Sequence, residues 1–218
     1  VCSSDLQGSA AGLFDVEMWN LLASSVDPTD PVAFAIDVSP ERDKASIGVA
    51  GYLGENTHVQ VIDNRKGTGW VVGRIKELKE KWNPVAIVID SGSPAAALIP
   101  DLQAARIRVL TTSASEMAQA CGDFYDAAHN ERLLHADQPI LNAAVAAATK
   151  RPIRDAFGWN RKNEHADITP LVAVTLAAFG LKQKRKPRGE RAGTSGNRDR
   201  KSTRLNSSHV SESRMPSS

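Results

Sequence analysis

The stretch PVAFAIDVSPERDKASIGVAGYL, Pro31–Leu53, decides the fold. An apolar run over Val32–Ile36 ends on Asp37, and after a polar turn a second apolar run covers Ala45–Tyr52. A third run, Thr57–Ile62, follows the turn LGEN, whose glycine favours a hairpin. The pattern predicts three consecutive antiparallel strands, the first of which ends on a carboxylate.

The rest of the chain alternates between helical and strand patterns. The segment VAIVIDSG is a continuous apolar run that ends on Asp90, which is typical of a parallel strand buried on both faces. The segment IRVL predicts a fifth strand. Helical patterns are the stripe Val71, Ile75, Leu78 and Trp82, the segment SPAAALIPDLQAA, the stripe Met117, Cys121, Phe124 and Ala128, the segment DQPILNAAVAAAT, and the apolar Pro170–Leu181. The order predicts a mixed α/β sheet of three antiparallel and two parallel strands, with helices on both faces.

Composition narrows the class of protein. The 218 residues suffice for one domain with a substantial core. Only Cys2 and Cys121 occur, which excludes a disulfide framework and a thiolate zinc site. The N-terminus shows no signal-peptide pattern, and the longest apolar stretch is too short to span a bilayer. We therefore expect an intracellular protein without a membrane partner.

Charge is distributed unevenly along the chain. Residues 182–218 carry 11 basic and 3 acidic side chains and almost no apolar ones, which predicts a disordered basic tail, either solvated or in contact with nucleic acid.

Residues 1–11 and the end of that tail resemble translated sequencing-adapter sequence, and we interpret them as non-native. Residues 12–31 read as a linker with a short amphipathic helix near Trp19, and residues 32–181 as the folded domain.

Three aspartates follow apolar segments. Asp37 and Asp90 each end a strand, and Asp167 precedes the last helix. Taken singly, the first two could be turn residues and Asp167 a helix N-cap, although Thr169 before Pro170 already offers a cap. Three converging carboxylates require a neutralising cation, and oxygen ligands favour Mg²⁺ or Mn²⁺. Two such ions can activate water and stabilise the leaving oxygen in phosphodiester hydrolysis.

A basic segment precedes the third aspartate. It is either a solvated edge strand or a surface for DNA phosphates, and the neighbouring acids favour phosphate contacts. Its basic residues are Lys150, Arg151, Arg154, Arg161 and Lys162.

The remaining motifs give weaker evidence of function. His135 and His165 could assist metal or phosphate binding, but loop or packing roles are the better interpretation. The chain lacks the P-loop motif, a Gly-rich dinucleotide motif after a strand, and a nucleophile elbow.

The segments AIDVSP, VIDSGSP and HADITPL, together with FYDAAHNERLLHAD and LNAAVAAATKRPIRDAFGWNRK, resemble the ribonuclease-H-like nuclease domain of tailed-phage terminase large subunits, of the type found in phages of actinobacteria. The resemblance covers roughly Trp19–Leu181. It implies that Asp37, Asp90 and Asp167 bind two Mg²⁺ or Mn²⁺ ions and cut concatemeric double-stranded DNA during genome packaging in the host cytoplasm. It also implies an ATPase domain, a small terminase subunit and a portal as partners, with the ATPase motor missing from this chain.

Two other classes share the expected features. A Holliday-junction resolvase or transposase-like nuclease could be built on the same fold, and fold alone does not separate them. A non-catalytic DNA- or portal-binding module would use the three acids only structurally. Preference for a four-way junction over linear duplex identifies the first. The second predicts no metal-dependent cleavage, and DNA binding that Asp37→Asn leaves intact.

Overall fold

The computed structural model describes residues 12–162 and 166–185. Three predicted features lie outside these residues: the non-native segment 1–11, His165 and most of the basic tail. No helix in the described segments is long and apolar enough to cross a membrane.

A six-stranded mixed sheet forms the centre of the domain, in the order β5-β4-β1-β2-β3-β6. Strand β2 runs antiparallel to its neighbours β1 and β3, and β4, β5 and β6 pair in parallel with β1, β4 and β3, respectively. The strands are β1 (Thr29–Val38), β2 (Lys44–Leu53), β3 (Asn56–Lys66), β4 (Ala86–Asp90), β5 (Leu110–Thr112) and β6 (Leu133–His135). The predicted α/β class is confirmed, and the structure adds β6 to the five predicted strands.

Helices cover both faces of the sheet. On one face, the core includes residues of α1, α4, α5 and α6; on the other, it includes residues of α2, α3 and a short 3₁₀ helix. The helices are α1 (Val16–Leu21), α2 (Val71–Trp82), the 3₁₀ helix Pro94–Leu98, α3 (Ile99–Ala104), α4 (Ala114–His129), α5 (Pro139–Ala146) and α6 (Thr169–Arg185). The α4 stripe and the apolar part of α6 are buried as predicted, because both pack on the sheet.

Four local predictions need correction. The fifth strand begins at Leu110 rather than Ile107, because Leu110 is the residue that pairs with Val88 of β4. The segment SPAAALIPDLQAA, predicted as one helix, is a 3₁₀ helix followed by α3, and Pro100 lies in the first turn of α3. Trp82, the last residue of α2, is exposed rather than buried.

The basic segment before Asp167 contains a separate two-stranded hairpin. Its strands are β7 (Lys150–Ile153) and β8 (Ala156–Trp159), and Trp159 is buried in the main core. This is the fourth correction, since the sequence suggested at most one edge strand here.

The segment predicted as a linker packs on the sheet before β1 begins. Its side chains Phe14, Trp19 and Leu22 are buried in the same core as α4 and α6. Trp19 also stacks on His135 of β6, with ring centroids 4.1 Å apart. This part of the chain therefore contributes to the stability of the folded unit.

Candidate active site

Asp37 and Asp90 are neighbours at one edge of the sheet. Strands β1 and β4 are parallel, and Ile36 pairs with Ile89, so the residue after each of these is an aspartate at the carboxyl end of its strand. Ligand sites of α/β sheets lie at this end of parallel strands. The predicted convergence of these two carboxylates is therefore present in the structure.

The Asp37 carboxylate is fully buried. Neither of its oxygens has a hydrogen-bond partner among the described residues. Burial raises the pKa of Asp37 from 3.8 to about 7; the charge of Asp90 contributes to this rise, and Arg161 opposes it. A buried, unsatisfied carboxylate is costly to the fold, which points to a function for this side chain.

Asp90 is held in place by the loop that follows it. Its Oδ1 accepts hydrogen bonds from the Gly92 backbone N–H at 3.2 Å and from the Thr112 hydroxyl at 3.5 Å. Its Oδ2 accepts from Arg161 at 3.3 Å. The carboxylate is thus fixed in orientation, with one oxygen directed toward Asp37 and Arg161.

Asp167 reaches the site from the start of α6. Its Oδ1 accepts from the Thr169 backbone N–H at 2.9 Å and from the Thr169 hydroxyl at 2.7 Å. The sequence assigned the cap of this helix to Thr169, but Thr169 is already helical and Asp167 satisfies its N–H. Asp167 therefore has a structural role in addition to any functional one, because a side-chain oxygen at a helix start stabilises the first turn.

The second oxygen of Asp167 faces two polar side chains that the sequence did not single out. Asn64 of β3 donates to Oδ2 at 2.8 Å, and the Lys44 ammonium lies 3.9 Å from it. Asn64 also donates to Ser46, whose hydroxyl lies 2.7 Å from that of Thr169. In the sequence, only the alternation of side chains along β2 and β3 could have indicated Lys44 and Asn64, because polar side chains of these two strands face the site.

A cleft of about 610 Å³ opens beside these acids. Asp37, Lys44, Arg161, Lys162 and Asp167 line it, together with the turn between β1 and β2. Two predicted metal ligands and two predicted DNA contacts therefore share one opening to solvent.

The predicted DNA-binding residues fall into two groups. Lys150 and Arg151 are exposed on β7, and Arg154 is exposed in the hairpin turn, whereas Lys162 is exposed in the cleft. Arg161 differs from all of them, because only 17% of its side chain is exposed and it contacts the acids. Their DNA-binding role stays a prediction.

His135 has a packing role. Its Nε2 donates to the Trp19 carbonyl at 2.8 Å, and its Nδ1 accepts from the Asp137 backbone N–H at 3.1 Å. Burial lowers its pKa. Both ring nitrogens are occupied, so His135 is not available to a ligand.

The donor chemistry suits a divalent cation. Among residues 12–162 and 166–185, no three His, Cys, Asp or Glu side chains lie close enough together to form a complete metal site. Two basic side chains, Arg161 and Lys44, lie within ion-pair distance of the three aspartates. The oxygens of Asp37 accept no hydrogen bond from the described residues, and beside Asp90 they fit an oxygen-seeking cation such as Mg²⁺ or Mn²⁺.

Solved structures share the fold of this chain. No family model and no curated protein matches the sequence. The crystal structure of the HK97 bacteriophage large terminase superposes with a TM-score of 0.63 at 13% identity, over 77% of this chain and 43% of that one. The chain thus corresponds to less than half of that protein.

Two isolated nuclease domains match over nearly their whole length. The large terminase nuclease of thermophilic phage G20c with bound magnesium has a TM-score of 0.57 at 15% identity, over 78% of this chain and 97% of that one. The nuclease domain of the large terminase subunit gp2 of bacterial virus Sf6 has a TM-score of 0.55 at 12% identity, over 77% and 98%. The chain therefore has the ribonuclease-H-like fold of phage large-terminase nuclease domains.

Proposed function

We propose that the chain is a nuclease domain of a phage DNA-packaging terminase, which hydrolyses phosphodiester bonds of double-stranded viral DNA with two Mg²⁺ or Mn²⁺ ions. The observation that carries the proposal is the fully buried carboxylate of Asp37, which accepts no hydrogen bond from the described residues and lies beside Asp90 at the carboxyl ends of two parallel strands. The shared fold with terminase nucleases supports the same conclusion. It works in the host cytoplasm, where an ATPase domain, a small subunit and a portal are its partners.

Each aspartate has a distinct part in this proposal. Asp37 and Asp90 together hold one cation, and Asp167 completes the site for a second. Bound divalent cations supply charge neutralisation at the phosphate and activation of water. Asp90 and Asp167 are pre-oriented by hydrogen bonds, and Asp167 lines the cleft together with Asp37. Hydrogen bonds from surrounding residues to a metal-binding carboxylate fix its orientation before the cation binds.

The basic side chains bind and orient the substrate. Lys162 lies in the cleft, where it meets phosphates next to the scissile bond. Lys150, Arg151 and Arg154 extend this positive surface along the β7–β8 hairpin. Phosphate contacts of this kind position a duplex but read no sequence, so we expect limited sequence preference.

A plasmid-cleavage assay tests the proposal. The 218-residue chain is incubated with supercoiled plasmid in Mn²⁺, Mg²⁺ or EDTA, beside the variants Asp37→Asn and Asp90→Asn. The control is Asp101→Asn, the same change at an exposed position of α3 outside the cleft. We expect metal-dependent linearisation that the two site variants lose and the control keeps.

Other results would contradict the proposal. Cleavage that survives both site substitutions would show that the acids are structural. Absence of cleavage, together with absence of Mn²⁺ binding by calorimetry, would favour a non-catalytic DNA- or portal-binding module. Preferential cleavage of a four-way junction over linear duplex would favour a resolvase of the same fold.

A further inference from the structure

Arg161 occupies the position between the two sheet aspartates. Its Nη2 lies 3.1 Å from Asp37 Oδ1 and 3.3 Å from Asp90 Oδ2, so a single nitrogen contacts carboxylates from two strands. A guanidinium group is a permanent cation in proteins. In this arrangement the charge between the two carboxylates is supplied by the protein itself.

The contact with Asp37 is an ion pair without a well-aligned hydrogen bond. Among residues 12–162 and 166–185, neither Asp37 oxygen accepts a hydrogen bond although Arg161 is within ion-pair distance, whereas Asp90 does accept one from Arg161. A residue kept only to stabilise a buried pair would be expected to satisfy both partners. Arg161 is therefore an incomplete partner for Asp37, which leaves room for a better one.

A divalent cation and the guanidinium cannot share these oxygens. Both are positive, and a cation held by Asp37 and Asp90 would have to take the oxygens that Arg161 contacts. Repulsion between like charges at such short range is large. Binding of one must therefore weaken binding of the other.

The cleft also offers Arg161 an alternative partner. Arg161 lines the opening that holds Lys162, and a guanidinium binds phosphate through paired, charge-assisted hydrogen bonds. A DNA phosphate in the cleft can attract Arg161 away from the aspartates without leaving its charge uncompensated.

We propose that Arg161 is a built-in counterion that competes with divalent cations for Asp37 and Asp90, and that a DNA phosphate in the cleft draws it away and so promotes loading of the metal. The inference rests on the proposed function, because it takes the two aspartates as metal ligands. Arg161 is a positioning residue here: it keeps the aspartates neutralised until substrate is present. Because coupling between two ligands is reciprocal, the metal must also tighten DNA binding.

Metal affinity in the absence of DNA tests the competition directly. Mn²⁺ binding to the full chain is measured by calorimetry and by the electron paramagnetic resonance signal of free Mn²⁺, for wild type, Arg161→Gln and Arg161→Lys. The matched control is Lys66→Gln, which removes a positive charge from an exposed side chain at the end of β3 without touching either aspartate. Circular dichroism and thermal melting confirm that each variant folds.

We expect Arg161→Gln to bind Mn²⁺ about tenfold more tightly than wild type, which is within the usual range of coupling between two sites. Arg161→Lys should fall between the two, because one ammonium cannot reproduce the planar fork of the guanidinium. Lys66→Gln should stay within about twofold of wild type, since screened charges beyond contact range interact weakly. An unchanged or weakened affinity in Arg161→Gln relative to Lys66→Gln would overturn the inference.

The coupling to DNA is measured by fluorescence anisotropy. A labelled duplex with hydrolysis-resistant phosphorothioate linkages is titrated with each protein in Ca²⁺ and in EDTA. In wild type and in Lys66→Gln, Ca²⁺ should tighten duplex binding by the same factor, and Arg161→Gln should lose most of that gain. Equal gains in Arg161→Gln and Lys66→Gln would refute the role of the phosphate.

These outcomes separate the inference from the proposed function. If plasmid cleavage requires metal and Asp37 but Arg161→Gln leaves the Mn²⁺ affinity unchanged, only the inference fails. If Arg161→Gln binds Mn²⁺ more tightly and no protein cleaves DNA, the competition stands and the nuclease proposal fails. If neither wild type nor Arg161→Gln binds Mn²⁺, both fail.

Discussion

Replacing Asp37 with asparagine should stabilise the fold at high pH. The unfolded chain ionises Asp37 above pH 3.8, whereas the folded chain retains the proton to about pH 7. Between these values the folded state holds more protons than the unfolded state, so wild-type stability falls as pH rises and levels off above 7. A change in pKa from 3.8 to about 7 corresponds to a cost of at most about 4 kcal/mol.

Asparagine has the shape of the protonated acid and carries no charge, so it avoids this cost. In EDTA, Asp37→Asn should exceed wild type in free energy of unfolding by about 2–4 kcal/mol at pH 8.5, and by less than about 1 kcal/mol at pH 4.5. Urea unfolding at both pH values measures the difference. Asp101→Asn, at an exposed site on α3, is the control and should show no such pH dependence.

One result would refute this reasoning. If Asp37→Asn were no more stable than wild type at pH 8.5, the buried carboxylate would be adequately compensated by Arg161. An equal gain at both pH values would mean that packing, rather than ionisation, distinguishes the two side chains. In either case the electrostatic account of this site would fail.

Three further substitutions test the surroundings of the site and the fold. Asn64→Ala removes the hydrogen bond to Asp167 and should weaken Mn²⁺ binding about tenfold in calorimetry, with the melting temperature little changed. Gly48→Ala places a Cβ about 2.7 Å from the Ala173 backbone and should cost about 2 kcal/mol in urea unfolding. Ser113→Ala removes the capping box of α4 and should cost about 1 kcal/mol in the same assay.

The sequence predicted the sheet and its two acids because the signal there is local. An apolar run that stops at a carboxylate is visible in one strand, and the parallel pairing of β1 with β4 follows from the helix between them. The sequence alone therefore allowed the expectation that Asp37 and Asp90 lie close together at one edge of the sheet. The same holds for α4, whose apolar stripe is long enough to show its period, and for α6, whose apolar run is long enough to indicate a buried helix.

The remainder of the site depends on contacts between distant segments. Strands β6, β7 and β8 have only three or four residues each, too few to show a period. Arg161 follows the hairpin in an irregular segment, and nothing in its neighbours indicates that it reaches Asp37. It could be predicted as basic and near the acids, but not as their counterion.

The position of Asp167 is determined by small residues rather than by its own neighbours in sequence. Helix α6 crosses the sheet so closely that Gly48 of β2 meets the backbone at Ala173, where any side chain would intrude. At the start of the helix, the hydroxyls of Thr169 and Ser46 lie 2.7 Å apart and tie α6 to β2. Two of the three acids thus belong to the sheet, and the third reaches them from a helix whose close approach depends on the missing side chain of Gly48. Substitutions that lift α6 should therefore impair the contribution of Asp167 before they disturb the pair on the sheet.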